Sequence, residues 1–285
     1  MALALGDLDR PVFPRSANKP LQAAGLVEAG WRPATVDQLA LACASHSGEP
    51  VHLDVVRSVL GSLPEDALGC PPSLPLDEAT AHALLASGGG PTRLHMNCSG
   101  KHAAMLATCL LRGWPTEGYL DRGHPVQRAV QATLERLAGE PVAAVAVDGC
   151  GAPQHALTLT GLARAFSRLA TAAPGTPEGQ AAAALRARPE LLGGTGRDVT
   201  ALVRDVPGLV AKDGAEGVYA AALADGSAVA VKIADGATRA ARIAVVAGLR
   251  ALGAPARALE GLAVLPVLGG GRPVGEVRPA GALAA

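Results

Sequence analysis

Reactive side chains are sparse along this chain of 285 residues and gather at a few points. The densest is Leu94-His95-Met96-Asn97-Cys98-Ser99-Gly100-Lys101-His102, which holds a thiol, a hydroxyl, an amine and two imidazoles in nine residues. Ala103-Ala104-Met105-Leu106-Ala107 follows and reads as a helix. The cluster therefore stands where a loop enters a helix, and there free backbone N–H groups and the helix dipole favour anions. A second group is Pro14-Arg15-Ser16-Ala17-Asn18-Lys19-Pro20. A serine and a lysine three apart share a helix face, and a lysine amine depressed by burial can take the serine proton to make a nucleophile. Pro20 disfavours helical geometry at Lys19, so either Ser16 opens the helix or the helix begins at Pro20 and the pair is held on a loop.

A third group, Asp148-Gly149-Cys150-Gly151, ends a short apolar run. Cys98 and Cys150 suit a soft metal such as zinc, completed by other donors, or else are two small buried hydrophobes. Cys43, Cys70 and Cys109 lie in apolar or proline-rich surroundings and read as core. Ala44-Ser45-His46-Ser47-Gly48-Glu49 reads as a capping turn between helices, and His124, before Pro125, as a helix cap. Lys232 interrupts the apolar strand Val231-Lys232-Ile233; the pattern alone points it to solvent.

Stepping outward, helices are expected from about 33 to 44, 50 to 60, 77 to 86, 99 to 112 and 125 to 138, a strand over 142–147, and a helix restarting at Pro153. Residues 171–179 are the best internal linker by composition. Three strands, near 208–212, 217–222 and 228–233, are punctuated by Asp213-Gly214 and Asp225-Gly226, a strong hairpin signal, and a helix follows over 237–252. The tail after Leu268 reads as irregular. This is an α+β layout in a single domain over 1–285, with a helical part at about 30–205 and a sheet part at about 206–285 joined by the N-terminal segment.

Hydrophobic residues make up 49% and aromatics 2%, so the core must be packed from Ala, Leu and Val. The 25 basic and 25 acidic residues cancel without long runs, which argues against nucleic acid or an anionic membrane as partner. Five scattered cysteines do not make a disulfide framework, and neither a signal peptide nor a membrane-length apolar run is evident, so a cytoplasmic protein is expected.

Together these segments resemble the Rhizobium-type (class 3, asparaginase II family) L-asparaginases. The matching pieces are R-S-A-N-K-P-L-Q (15–22), A-S-H-S-G-E (44–49), N-C-S-G-K-H-A-A-M-L (97–106), H-P-V-Q (124–127), D-G-C-G-A-P (148–153), G-A-E-G-V (214–218) and V-K-I-A-D-G (231–236). The resemblance implies a fold like the serine β-lactamases and penicillin-binding proteins, and hydrolysis of L-asparagine to L-aspartate and ammonia. It implies two catalytic pairs, Ser16 with Lys19 and Ser47 with Lys232, and a zinc site of Cys98, Lys101 and Cys150. Asp148 would then orient a ligand or metal-bound water. Arg15 suits the substrate carboxylate, Asp148 and Glu216 are candidates for its ammonium, and His102 is a pocket group. The metal is expected to shape the pocket and not to generate the nucleophile, and a homodimer is implied. Two other readings use the same residues: a β-lactamase or DD-peptidase, which would be exported, and a binding protein stapled by zinc at Cys98 and Cys150.

Overall fold

The computed structural model describes residues 3–284. A short 3-10 turn, Arg15–Asn18, runs directly into helix α1, Lys19–Glu28. Both alternatives for the Ser16 region thus hold in part: Ser16 lies on the turn, and Pro20 sits in the first turn of α1, where its missing N–H leaves no helical bond unmade. Helices α2 (Val36–Ala42), α3 (Pro50–Leu60), α4 (Glu78–Ala86), α5 (Ser99–Arg112) and α6 (Pro125–Ala138) follow, within a residue or three of the expected bounds. Thr35, Asp77 and His124 cap α2, α4 and α6 through side-chain acceptors. Gly113 and Gly139 end α5 and α6 in the left-handed conformation.

Strand β1 (Val145–Val147) pairs antiparallel with β2 (Pro153–His155). The helix expected to restart at Pro153 instead begins at Leu159. Residues 153–155 are taken by the β1 partner, and Thr158 makes the N-cap through Gly161 N. Helices α7 (Leu159–Thr171), α8 (Pro177–Ala187), α9 (Pro189–Leu192) and α10 (Asp198–Asp205) lead to the main sheet. Its strands β3 (Val210–Gly214), β4 (Val218–Ala222) and β5 (Ala228–Lys232) run antiparallel in the order β3-β4-β5. Helices α11 (Thr238–Ala251) and α12 (Ala256–Leu259) come next, and then β6 (Leu265–Gly269) and β7 (Arg272–Val277) form a hairpin where an irregular tail was expected.

The architecture is α+β, a helical body packed with small antiparallel sheets. Helix α1 is its axis: every residue from Lys19 to Val27 is buried, against α5, α6 and α8. The three-stranded sheet packs against α7 and α11, and β3 lies along the 3-10 turn that bears Ser16. Among the described residues no helix is long and apolar enough to cross a membrane.

Candidate active site

The N-terminal turn puts a hydroxyl at the mouth of a buried helix. Ser16 is half-buried, whereas Lys19, one turn on, is 1% exposed. A lysine taken this far from water must find acceptors. Its ammonium donates to the Ala44 carbonyl at 2.6 Å, to Ser45 Oγ at 2.9 Å and, at 3.5 Å, to the Asn97 carbonyl. Among the described residues none of its hydrogen bonds reaches the Ser16 hydroxyl. Ser45, read from the sequence only as part of a capping turn, is the serine that Lys19 touches.

The loop 44–48 is fastened to the start of α5. His46 N donates to the Asn97 carbonyl at 3.2 Å, and His46 Nε2 lies 2.8 Å from Ser99 Oγ. Gly48 N donates to His46 Nδ1, so the ring proton belongs on Nε2, toward Ser99. The approach depends on Gly100: a Cβ there would stand 2.6 Å from the Leu41 carbonyl oxygen at the end of α2. Ser47 is 1% exposed and donates from Oγ to the Gly193 carbonyl at 2.7 Å.

The expected pair of Ser47 and Lys232 is not brought together. Lys232 is partly exposed on β5, and its ammonium is bound to the Glu216 carbonyl; it does not meet Ser47. Strand β5 is two positions from β3 in the sheet. Lys212, on β3, is fully buried instead. Its strand can lie on the turn because Gly214 has no side chain; a Cβ would fall 2.4 Å from the Pro14 carbonyl oxygen. Lys212 donates to the Asp213 carbonyl at 2.9 Å and to the Asp213 carboxylate, and Arg197 holds the other carboxylate oxygen at 2.8 Å. Burial pushes the Lys212 amine down to about 8; the nearby charge of Lys19 acts in the same direction, and Asp213 acts against both. Burial alone would raise the Asp213 carboxyl, but Lys212 and Arg197 outweigh it and hold it at about 2.

Arg15 closes the other side. Its Nε donates to Asp148 Oδ1 at 2.7 Å and its Nη1 stands 3.0 Å from Glu216 Oε1. Arg15 and Glu216 are the two non-glycine residues with positive φ among those described, at 54° and 58°. The three charged residues proposed from the sequence for a zwitterionic ligand are therefore brought together, already bound to one another.

Cys98, Lys101 and Cys150 also converge. Lys101 Nζ lies 3.2 Å from Cys150 Sγ, and the Cys98 thiol donates to Asn97 Oδ1 at 3.1 Å. The neighbouring Cys98, with Lys101 and His102, pushes the Cys150 thiol down against the effect of its burial. Burial works to lower the Lys101 amine, but the two sulfurs and Asp148 raise it more. His102 is buried, with Nδ1 2.6 Å from the Tyr119 hydroxyl. Its Nε2 has no hydrogen-bond partner among the described residues and lies beside Cys150. Two thiols, an amine and an orphaned imidazole nitrogen suit zinc. Among the described residues no group of three or more His, Cys, Asp or Glu side chains is placed to hold a metal ion. Cys43, Cys70 and Cys109 are free and buried, as expected of core residues.

A family model described as L-asparaginase II matches residues 1–279 of the chain. No curated protein matches it.

Proposed function

Given that the chain belongs to the L-asparaginase II family, whose members are amidohydrolases, we propose that it hydrolyses the side-chain amide of L-asparagine through its buried serine–lysine cluster. The observation that carries this reading is the pair of buried amines, Lys19 and Lys212, beside the turn that bears Ser16. Lys212, near 8, is a base that a neutral solution can use.

Ser16 Oγ attacks the amide carbon and gives its proton to the lysine pair. The C–N bond breaks, the amide nitrogen takes a proton back and leaves as ammonia, and the acyl group stays on Ser16. Water, deprotonated by the same amines, then cleaves the ester and releases L-aspartate. Ser47 and Ser45 carry protons between the amines. In this scheme Lys212 takes the part that the resemblance assigned to Lys232. Arg15 receives the substrate carboxylate, and Asp148 and Glu216 its ammonium.

Cys98, Lys101 and Cys150 would hold zinc, with His102 Nε2 beside them. When bound, the metal supplies fixed positive charge to the pocket wall through Asp148. The Ser-x-x-Lys turn leading a buried helix, with a strand laid antiparallel to its neighbours beside it, also supports a fold related to the serine β-lactamases. A cytoplasmic homodimer completes the reading. Exposed Leu268 and Val274 on the β6–β7 hairpin, at 60% and 69%, supply apolar surface for it, and size-exclusion chromatography with light scattering checks it.

Ammonia release from L-asparagine and from L-glutamine tests the proposal. Ser16→Ala and Lys212→Met should each lower kcat by about a thousandfold or more. Lys232→Ala should stay within about tenfold, as expected for losing one exposed hydrogen bond. Full turnover by Ser16→Ala would refute the scheme, and so would acylation by penicillin in place of asparagine turnover.

A further inference from the structure

Behind the strand that carries Lys212 lies a separate cavity of about 300 Å³, between β3, β4, α10 and α11. Three arginines line it, Arg197, Arg239 and Arg242, against two aspartates, Asp198 and Asp213. Asp213 is already divided between Arg197 and Lys212. Asp198 spends one carboxylate oxygen on Val199 N at the start of its own helix. Arg239 reaches Asp235, outside the cavity lining, at 3.8 Å, so the three arginines are matched by three aspartates.

Two donors on this wall are left over. Tyr219 stands opposite Asp213 in the β3–β4 register and is 2% exposed, yet its hydroxyl has no hydrogen-bond partner among the described residues. Arg242 gives its Nη2 to the Val264 carbonyl at 3.1 Å, but its buried Nε has no partner among them either. Buried polar groups are normally satisfied, and leaving them unpaired is destabilising. An O–H and a guanidinium N–H both call for an acceptor, and a guanidinium N–H is met best by a negative one.

We propose that this cavity is a binding site for a small oxyanion, a carboxylate or a free phosphate, held by Tyr219 Oη, Arg242 and Arg239. It is distinct from the Arg15–Asp148–Glu216 cluster, which lies at the Ser16 turn. Two ion pairs in series link it to Lys212: Arg197, on the cavity wall, holds Asp213, and Asp213 holds Lys212. An anion that drew Arg197 toward itself would leave Asp213 more fully to Lys212. That influence rests on the proposed role of Lys212, whereas the binding does not.

The test is calorimetric titration of the full chain with inorganic phosphate and, separately, with succinate, at constant ionic strength and without substrate. Saturable one-to-one binding of either anion is expected, and the two arms distinguish a phosphate from a carboxylate site. Arg242→Gln should weaken it by about tenfold or more, the loss of one charge-assisted bond. Tyr219→Phe, which removes a single oxygen and keeps the fold packed, should weaken it several-fold. Ser16→Ala should bind as the parent does. If neither anion saturates, the cavity holds only water and the proposal fails. It also fails if Tyr219→Phe and Arg239→Gln both bind as tightly as the parent, whatever becomes of Arg242→Gln.

Discussion

At the scale of single residues, the deciding contrast is between two lysines in similar-looking strands. Ala211-Lys212-Asp213 and Val231-Lys232-Ile233 both interrupt apolar runs, and nothing local says which amine is buried. What separates them is the neighbouring structure: β3 is buried almost throughout, while β5 is only half-buried at each residue. The consequence is a pH profile. A lysine in water titrates at ~10.4 and would be a poor base at neutrality. With Lys212 at about 8, kcat/KM for L-asparagine should rise with pH through that region and level off above it, because the protonated amine cannot accept the serine proton. Asp213→Asn should move this limb to lower pH, since it removes the charge that favours the ammonium, and steady-state assays across pH 6 to 10 would show it. A limb left in place by Asp213→Asn would remove Lys212 from the base role. Residue type offered Cys98 and Cys150 either as soft-metal donors or as small buried hydrophobes, and Lys101 joined them only through the family resemblance.

At the scale of elements, the site is assembled by close packing at two glycines. Gly100 lets the first turn of α5 press on the end of α2, and Gly214 lets β3 lie on the Ser16 turn. Gly100→Ala should therefore destabilise the fold by ~1–3 kcal/mol, because the Leu41 carbonyl at 2.6 Å is backbone and cannot swing aside. Chemical denaturation would measure that, and zinc affinity should fall with it as Cys98 and Lys101 are pushed off position. Most helices could be read from periodicity and capping residues, and the main sheet from its Asp-Gly turns. Helices α9, α10 and α12 were not anticipated, and two elements were misread. Pro153 resembles a helix start, but β1 needs a partner strand and takes residues 153–155. The β6–β7 hairpin carries Pro266 and Pro273 and a Gly269-Gly270-Gly271 turn, which hide its alternation.

At the scale of the whole molecule, a chain with 2% aromatics builds its core from Ala, Leu and Val around α1, with most of its buried cations at the site. If Cys98, Lys101 and Cys150 hold zinc as proposed, it should raise the melting temperature of the full chain, as any ligand of the folded state does. The gain should grow with pH, since Cys98 and Lys101 must both release protons first, and scanning calorimetry with and without a chelator would show both effects. If chelation abolished turnover in an intact fold, the metal would have a larger part in the reaction than pocket shaping.

The contact between Arg15 and Glu216 joins the first twenty residues to the last quarter of the chain, through two backbones held left-handed without glycine. Such backbones cost of order 1–3 kcal/mol each and persist only where their surroundings hold them. On the proposed reading, a ligand that takes both charges at Ser16 competes with this contact. A zwitterion offers each partner a replacement, carboxylate for Glu216 and ammonium for Arg15. A neutral amide offers neither, so on that reading the fastening would act as a filter that favours a ligand carrying both charges.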